Sequence, residues 1–524
     1  MPIEAQQLRP QGVGASFAAA GMKFEEIKRD LASPRMAAMT HSEVERSLQK
    51  DGTELLRLLY QGFLDAQGDG AVAEPVRGPE GANRTHVREE GRNLMSLFGP
   101  VRIARQGYGA REASPLRPLD AELNLPTELY SLETRRRVAE EVAKNSFSES
   151  VQTIGRTTGA VVPKRQAEEL SVSAAQDFDA FYREAERAAE LGSEATGPIL
   201  AITADGKGVV MRREDLREVT RKAAEGREHK LTTRLSKGEK RNAKRMAEVA
   251  AVYTIEPHVR RPEDVIADTR PVRDADRKRP RPEHKRVWAS LKKEPKEIIA
   301  EAYDEAERRD PHHRKTWVVL VDGNPTQLAL VKAEAKARGV TVRIVVDFIH
   351  ALEYLWKAGR ALLGEGQDSE VWVKERALKL LRNEASAVAA GVRRSATLNQ
   401  LTGTARKAAD NCADYLLKNS SRMRYGDCLA LGLPIATGVI EGACRHLIKD
   451  RLDLTGARWR LDRAEAVLQL RALRSSGDFD AYWTFHEQQE QVRNHRSRYL
   501  GGIVPQTIRP TRHDASRKPT LVRS

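Results

Sequence analysis

The 524-residue chain sets 89 Lys+Arg against 74 Asp+Glu, a formal net charge of +15, and its pI is near 9.6. An excess of that size favours a polyanionic partner, because each neutralised phosphate releases counterions. Three cysteines, Cys412, Cys428 and Cys444, are too few and too widely spaced for a zinc ribbon or disulfide framework. No stretch approaches an apolar membrane span, and MPIEAQQLRP lacks a signal-peptide core, so a soluble cytoplasmic protein is expected.

In chain order, residues 22–67 show helical periodicity, and GDGAVAEPVRGPEGANR reads as a linker. Residues 1–90 are therefore read as an N-terminal helical region and linker. SLFGPVRIARQGYGAREASPLRPLDAEL reads as a β-hairpin followed by a Pro-punctuated extended segment. SESVQTIGRTTGAVVPKRQAEEL has the shape of a helix-turn-helix. Val151 and Ile154 lie on its first helix, Gly159 in the turn, and Lys164 and Arg165 on the second helix. Residues 91–196 are read as a hairpin plus a helix-turn-helix-like DNA-binding region, although two short helices around a glycine are common in any α-rich protein.

From Gly197 the pattern changes to strands at 199–205, 208–212 and 248–255, a helix across 284–309, and a strand at 317–322. A helix at 325–338, a strand at 341–347 and a helix at 348–363 follow. The last two strands are near-continuous Val/Ile/Leu runs, as expected when helices cover both faces. The predicted fold class is α/β: an RNase H-like mixed sheet interrupted by a helical insertion, with an α-rich N-terminal DNA-binding region. Residues 197–363 form the first part of the core, 364–430 the insertion and 431–490 its completion. Residues 491–524 read as a basic, disordered tail. Further basic clusters span 212–245 and 273–286.

Candidate chemistry resides in acids at strand ends: Asp205 in ITADG, Asp322 in LVDG and Asp347 in VVDFIH, joined by Glu441 in a downstream basic segment. A carboxylate at the end of a buried strand is costly unless a cation compensates. Mg2+ takes hard oxygen ligands, and two such ions can activate a nucleophile and stabilise a leaving oxygen in phosphodiester chemistry. Each acid also has an ordinary reading. Asp-Gly is a common turn, Asp347 could cap the next helix, Glu441 could be solvated, and His350 could simply pack. Around Glu441, the side chains Arg445, His446, Lys449, Arg451, Arg458 and Arg460 could hold DNA phosphates. Trp459 reads as core.

LAITADGKGV, WVVLVDGNP, VVDFIHALEYLWKAG and LPIATGVIEGACRHLIKDRLDLTGARWRLDRAEAVLQLRAL resemble bacterial insertion-sequence DDE transposases of the ISKra type, over about residues 98–483. The resemblance implies an RNase H-like catalytic core and Mg2+-dependent transposition, with Mn2+ able to substitute. It casts Asp205, Asp322 and Glu441 as catalytic and metal-binding residues, and Asp347 and His350 as alternative or supporting ones. DNA partners would be the element's terminal inverted repeats and target DNA. A homodimer or higher oligomer would assemble on DNA, with nucleoid association and no membrane. Many relatives carry a Cys pair in the hairpin; this chain has none around Tyr108–Ala113, which argues against a zinc knuckle. The competing readings are an inactive DNA-binding derivative and a nuclease on the same core.

Overall fold

The computed structural model describes residues 16–189, 196–225, 243–267, 279–454 and 456–509. The chain divides into two compact units, Met1–Asp177 with Asp480–Ser524, and Phe178–Phe479. Parts of the predicted basic clusters (226–242 and 268–278) and residues 510–524 lie outside the described residues.

In the first unit, helices α1 (Ala18–Leu31) and α2 (His41–Ala66) pack together, and α2 starts on a Thr40/Glu43 capping box. Helix α2 lies against an antiparallel hairpin of β1 (His86–Ser96) and β2 (Gly99–Ala110), to which β3 (Ala113–Leu116) adds a third strand. Leu64, Leu94, Val101, Ile103, Leu119 and Leu125 form the buried cluster beneath. The expected linker is packed structure: Val76 is buried with Tyr108, Leu116 and Tyr499. Residues 491–509 also depart from the disordered-tail expectation. Thr507 bridges Val72, and Ile508 N–H donates to the Ala71 carbonyl at 2.7 Å.

Helix α3 (Leu132–Lys144) is followed by α4 (Phe147–Thr157) and α5 (Lys164–Ala175), the two helices of the segment read as a helix-turn-helix. Gly159 is needed in its turn because that turn docks on the hairpin. Its N–H donates to the Leu97 carbonyl at 2.7 Å, and a Cβ there would sit 2.2 Å from the Phe98 carbonyl oxygen. Gly159→Ala is therefore expected to cost about 1–3 kcal/mol. Urea denaturation of the full chain measures this, and an unchanged midpoint would show that the turn yields freely.

The second unit is a mixed α/β fold on a five-stranded sheet of order β6-β5-β4-β7-β8. The strands are β4 (Ile199–Val210), β5 (Lys244–Ile255), β6 (Glu283–Ser290), β7 (Thr316–Val321) and β8 (Val342–Val346). β4 pairs antiparallel with β5, and β5 with β6; β4–β7 and β7–β8 are parallel. Five strands were expected, but two were placed wrongly. The run 199–210 is one strand, since Gly206 and Gly208 stay paired to Glu248 and Met246. The N-terminal part of the expected helix 284–309 is β6. Helix α6 (Pro295–Arg309) begins only after it, with Pro at the first turn and a Glu294/Glu297 capping box.

α6 and α7 (Pro325–Ala337) pack together, Tyr303 donating to the Val331 carbonyl at 3.0 Å. α8 (Phe348–Leu363) leads into an all-helical segment of α9 (Gln367–Leu381), α10 (Ala385–Leu398) and α11 (Gly403–Asn419). α12 (Gly438–Ala443) lies over β4 and β5. α13 (Leu461–Ser476) covers edge strand β6: Ser476 Oγ accepts from Val287 N–H at 3.0 Å and Glu465 from Leu291 N–H at 2.7 Å. These bonds satisfy an edge that would otherwise invite pairing with another chain.

A buried ion network stiffens the β6–α6 layer. Glu305 accepts from Arg286, Arg308 and Arg309, the last at 2.7 Å from Nε. Burial alone would raise its carboxyl; the three guanidiniums overcome this and hold it far below the ordinary carboxylate range. Its stabilisation is thus fully present above the unfolded Glu pKa and disappears only as pH falls through the depressed folded value. Glu305→Leu is expected to cost about 3–5 kcal/mol by leaving buried cations without their counter-charge. Equilibrium denaturation at pH 7 checks this, and a loss below about 1 kcal/mol would contradict it. Among the described residues, no helix is long and apolar enough to cross a membrane.

Candidate active site at the strand ends

The ladder sets the geometry. Thr203 pairs with Leu320, and Leu320 with Val345. Two residues further along each parallel strand come Asp205, Asp322 and Asp347, so the three fall level at one edge of the sheet. Asp205 does not end its strand; it still pairs with Val249 of β5. β7 stops at Val321, and the Ala204 carbonyl accepts instead from Gln327 Nε2 at 2.8 Å.

Each aspartate has other engagements. Asp205 Oδ1 accepts its neighbour Gly206 N–H at 2.7 Å, and Oδ2 accepts from the Cys444 thiol at 3.3 Å. Asp322 makes the turn that its Asp-Gly pair suggested: Oδ1 accepts from Asn324 N–H at 2.8 Å. Gly323 is required there, with φ +88° and Asn419 and Tyr415 packed where a Cβ would point. Tyr415 on α11 donates to the Asp322 carbonyl at 2.8 Å, so the helical insertion clamps this turn. Asp347 is 5% exposed and caps α8, accepting from Ile349 N–H at 3.0 Å. It also accepts from the Thr437 hydroxyl and from Thr437 N–H, the latter at 3.3 Å. Thr437 is the N-cap residue of α12, so Asp347 anchors the helix carrying Glu441. Phe348 N–H to the Ile435 carbonyl, 2.9 Å, adds a second tie.

Glu441 is exposed, yet its carboxyl is raised above the ordinary glutamate value. Partial desolvation is the largest cause, followed by the charges of Asp347, Glu353 and Asp205. His350 opposes the shift without cancelling it. Burial raises Glu248, opposite Gly206 on β5; Arg217 opposes that shift, and Asp205 is among the charges that add to it.

The sequence reading missed several neighbours. Glu353 lies one turn after His350, 3.8 Å from it. His350 meets Tyr354 and Tyr415 edge-on, and those two rings stack at 4.0 Å between centroids. The histidine thus packs, as its ordinary reading held. The sequence offers no role for Cys444 beyond excluding a zinc ribbon or disulfide framework. It begins a π-helical turn, Cys444–Lys449, a rare form that is frequent at functional sites. Burial, then the Asp205 charge, pushes its thiol well above the ordinary value. All three cysteines are free and buried.

No family model matches this sequence, and no curated protein is significantly similar to it.

Of the expected phosphate contacts near Glu441, Arg445, His446, Lys449, Arg458 and Arg460 are exposed. Arg445 and His446 lean towards Asp450, at 3.7 and 3.1 Å. Arg451 is a correction: it is 3% exposed, its guanidinium 4.8 Å over the Trp459 ring, and is withdrawn from the contact set. Trp459 is core, its Nε1–H donating to the Leu452 carbonyl at 3.0 Å. Lys207, exposed two residues after Asp205, is a cation that the reading overlooked. In the first unit Lys164 and Arg165 are exposed at the start of α5, with Arg165 3.2 Å from Glu169.

Among the described residues, no group of three or more His, Cys, Asp or Glu side chains is gathered closely enough to hold a metal ion. The donor set nonetheless suits a hard divalent cation in kind. It consists of carboxylates level at one end of the sheet, and the part of the rise in Glu441 that comes from Asp347, Glu353 and Asp205, after desolvation, is one that a cation placed among them would relieve.

Proposed function

We propose that this chain is a DNA transposase of the insertion-sequence DDE kind, cutting element ends and joining the freed 3′-hydroxyl to target DNA. The observation that carries the reading is the level alignment of Asp205, Asp322 and Asp347 on three parallel strands, just past the last β4–β7 pair, with Glu441 carried on α12 where the charges of Asp347 and Asp205 act on it. Ligands of open α/β sheets bind outside such strand ends. The strand order β6-β5-β4-β7-β8, with a helical segment before Glu441, also supports an RNase H-like core.

Asp205, Asp322 and Glu441 would hold Mg2+ or Mn2+, which would supply charge neutralisation and nucleophile activation when bound. Asp322 is preferred over Asp347 as the second acid because Asp347 is committed to Ile349 and Thr437. Asp347 acts in support by fixing the start of α12. Lys207, Arg445, Lys449, Arg458 and Arg460 bind DNA phosphates, while Lys164 and Arg165 contact the inverted repeats from the helix-turn-helix-like pair. The protein is cytoplasmic and nucleoid-associated, and works as a homodimer or higher oligomer on DNA.

The experiment is incubation of purified protein with Mg2+ and DNA carrying the inverted repeats that flank its coding region. Metal-dependent nicking at the repeat ends, followed by joined products, is expected. Cleavage without preference for those ends would indicate a nuclease. End-specific binding without turnover would indicate a binding protein, a reading favoured by the engagement of Asp205 with Cys444.

A further inference from the structure

The first unit contains a cavity of about 90 Å3 beside β3, lined by Arg92, Arg105, Arg117 and Arg498 together with Asp120. That is several times the roughly 10–15 Å3 that one water needs. Four guanidiniums there meet two carboxylates. Asp120 lies 3.1 Å from Arg105, and Glu90 lies 2.7 Å from Arg117 Nε and 3.8 Å from Arg105. Arg92 places its terminal nitrogens on the carbonyls of Pro126 and Glu128, at 2.6 and 2.5 Å. These bonds orient it, and its ion pair with Asp120, 3.9 Å away, is one that Arg105 shares. The Arg498 head group reaches the Pro115 carbonyl at 3.5 Å. Arg105 is 8% exposed, and its Nε finds no hydrogen-bond partner among the described residues.

A buried donor left unmade costs about 1–3 kcal/mol, and a buried charge costs more unless it is paired. The lining therefore holds two positive charges in excess of its carboxylates, an unused donor and room for a group larger than water. Burial, with Arg117 adding, lowers Arg92 and Arg105 below the ordinary arginine value even though Asp120 opposes the shift. An anion between the guanidiniums would reverse that effect. Guanidinium forks match tetrahedral oxyanions in geometry as well as charge.

We infer that this cavity binds a phosphate-class oxyanion, through Arg105 and Arg498 with Arg92 and Arg117 beside them. Arg498 and Leu116 also line a neighbouring groove of about 620 Å3, in which Arg84 is paired with Glu80 and Arg111 with Glu112, so Arg498 is, among the described residues, the unpaired cation on the side from which the anion enters. The same chemistry is offered by free inorganic phosphate and by the terminal phosphate of a DNA strand lying in the groove. The cavity is built wholly from the first unit and the acidic residues belong to the second, so the inference can fail or hold without them.

The test compares thermal unfolding of the full-length protein in sodium phosphate and in sodium chloride at equal ionic strength. With phosphate about tenfold above its Kd, the midpoint is expected to rise by about 2–5 °C. Arg105→Met and Arg498→Gln should each remove that increment. Arg498→Gln keeps the test valid if Arg105→Met does not fold. Equal midpoints in the two salts, or an increment retained in Arg498→Gln, would overturn the inference. A 5′-phosphorylated oligonucleotide that suppresses the increment, while its 5′-hydroxyl twin does not, assigns the site to a DNA end. Suppression by neither assigns it to the free ion.

Discussion

Asp205→Asn is expected to lower metal-dependent cleavage and joining by about 10^3-fold or more while leaving the fold intact. Its charge acts on two other acids, Glu441 and Glu248, the latter paired with the next residue, Gly206, in the β4–β5 ladder. Removing one charge from such a group takes away a ligand and also relieves repulsion. In metal-free buffer the melting temperature should therefore stay level or rise, as expected of a site that trades stability for chemistry. Glu441→Gln should behave alike. Activity assays paired with melts of the same preparations check both halves. A variant that keeps full activity would remove Asp205 from the chemistry, and one that loses activity by unfolding would leave it a structural residue.

Asp322 and Asp347 should separate when each is changed to alanine. Asp347→Ala removes the cap of α8 and the acceptor for Thr437 together, and is expected to cost about 2–3 kcal/mol. Asp322→Ala removes one turn bond, to Asn324, at a cost of about 1 kcal/mol or less. Its activity should fall by about 10^3-fold, on the scale of Asp205→Asn. Thr437→Val, which keeps Asp347 but loses the hydroxyl tie to α12, should reproduce part of the Asp347→Ala defect in both stability and activity. Full activity in Asp322→Ala beside an inactive, well-folded Asp347→Asn would reverse the assignment of the second acid.

Much of this site was legible because its signals are local. Apolar runs ending in Asp mark β4, β7 and β8, and the caps of α7 and α8 lie in NP and DF pairs at their starts. What stayed hidden depends on pairing between distant segments. Gly206 and Gly208 looked like a break, but the β5 ladder carries the strand through them. The HKRVWAS segment read as the start of the following helix because it has as many charges as β-formers; pairing with β5 and the cover of α13 make it a strand. Arg451 sits among exposed cations in sequence, yet Trp459 folds back beneath it. Cys444 gained a role only because a π turn aims it at Asp205. The hydrogen bonds of Asp347 likewise depend on a segment ninety residues away.

The central claim is that the strand-end acids together hold a divalent cation. Titration of purified, metal-free protein with Mn2+, followed by electron paramagnetic resonance, measures this without DNA and without turnover. Wild-type protein is predicted to bind Mn2+ at millimolar Kd or tighter, and Asp205→Asn and Glu441→Gln to weaken that binding at least about tenfold. Identical Mn2+ binding by all three proteins would contradict the account.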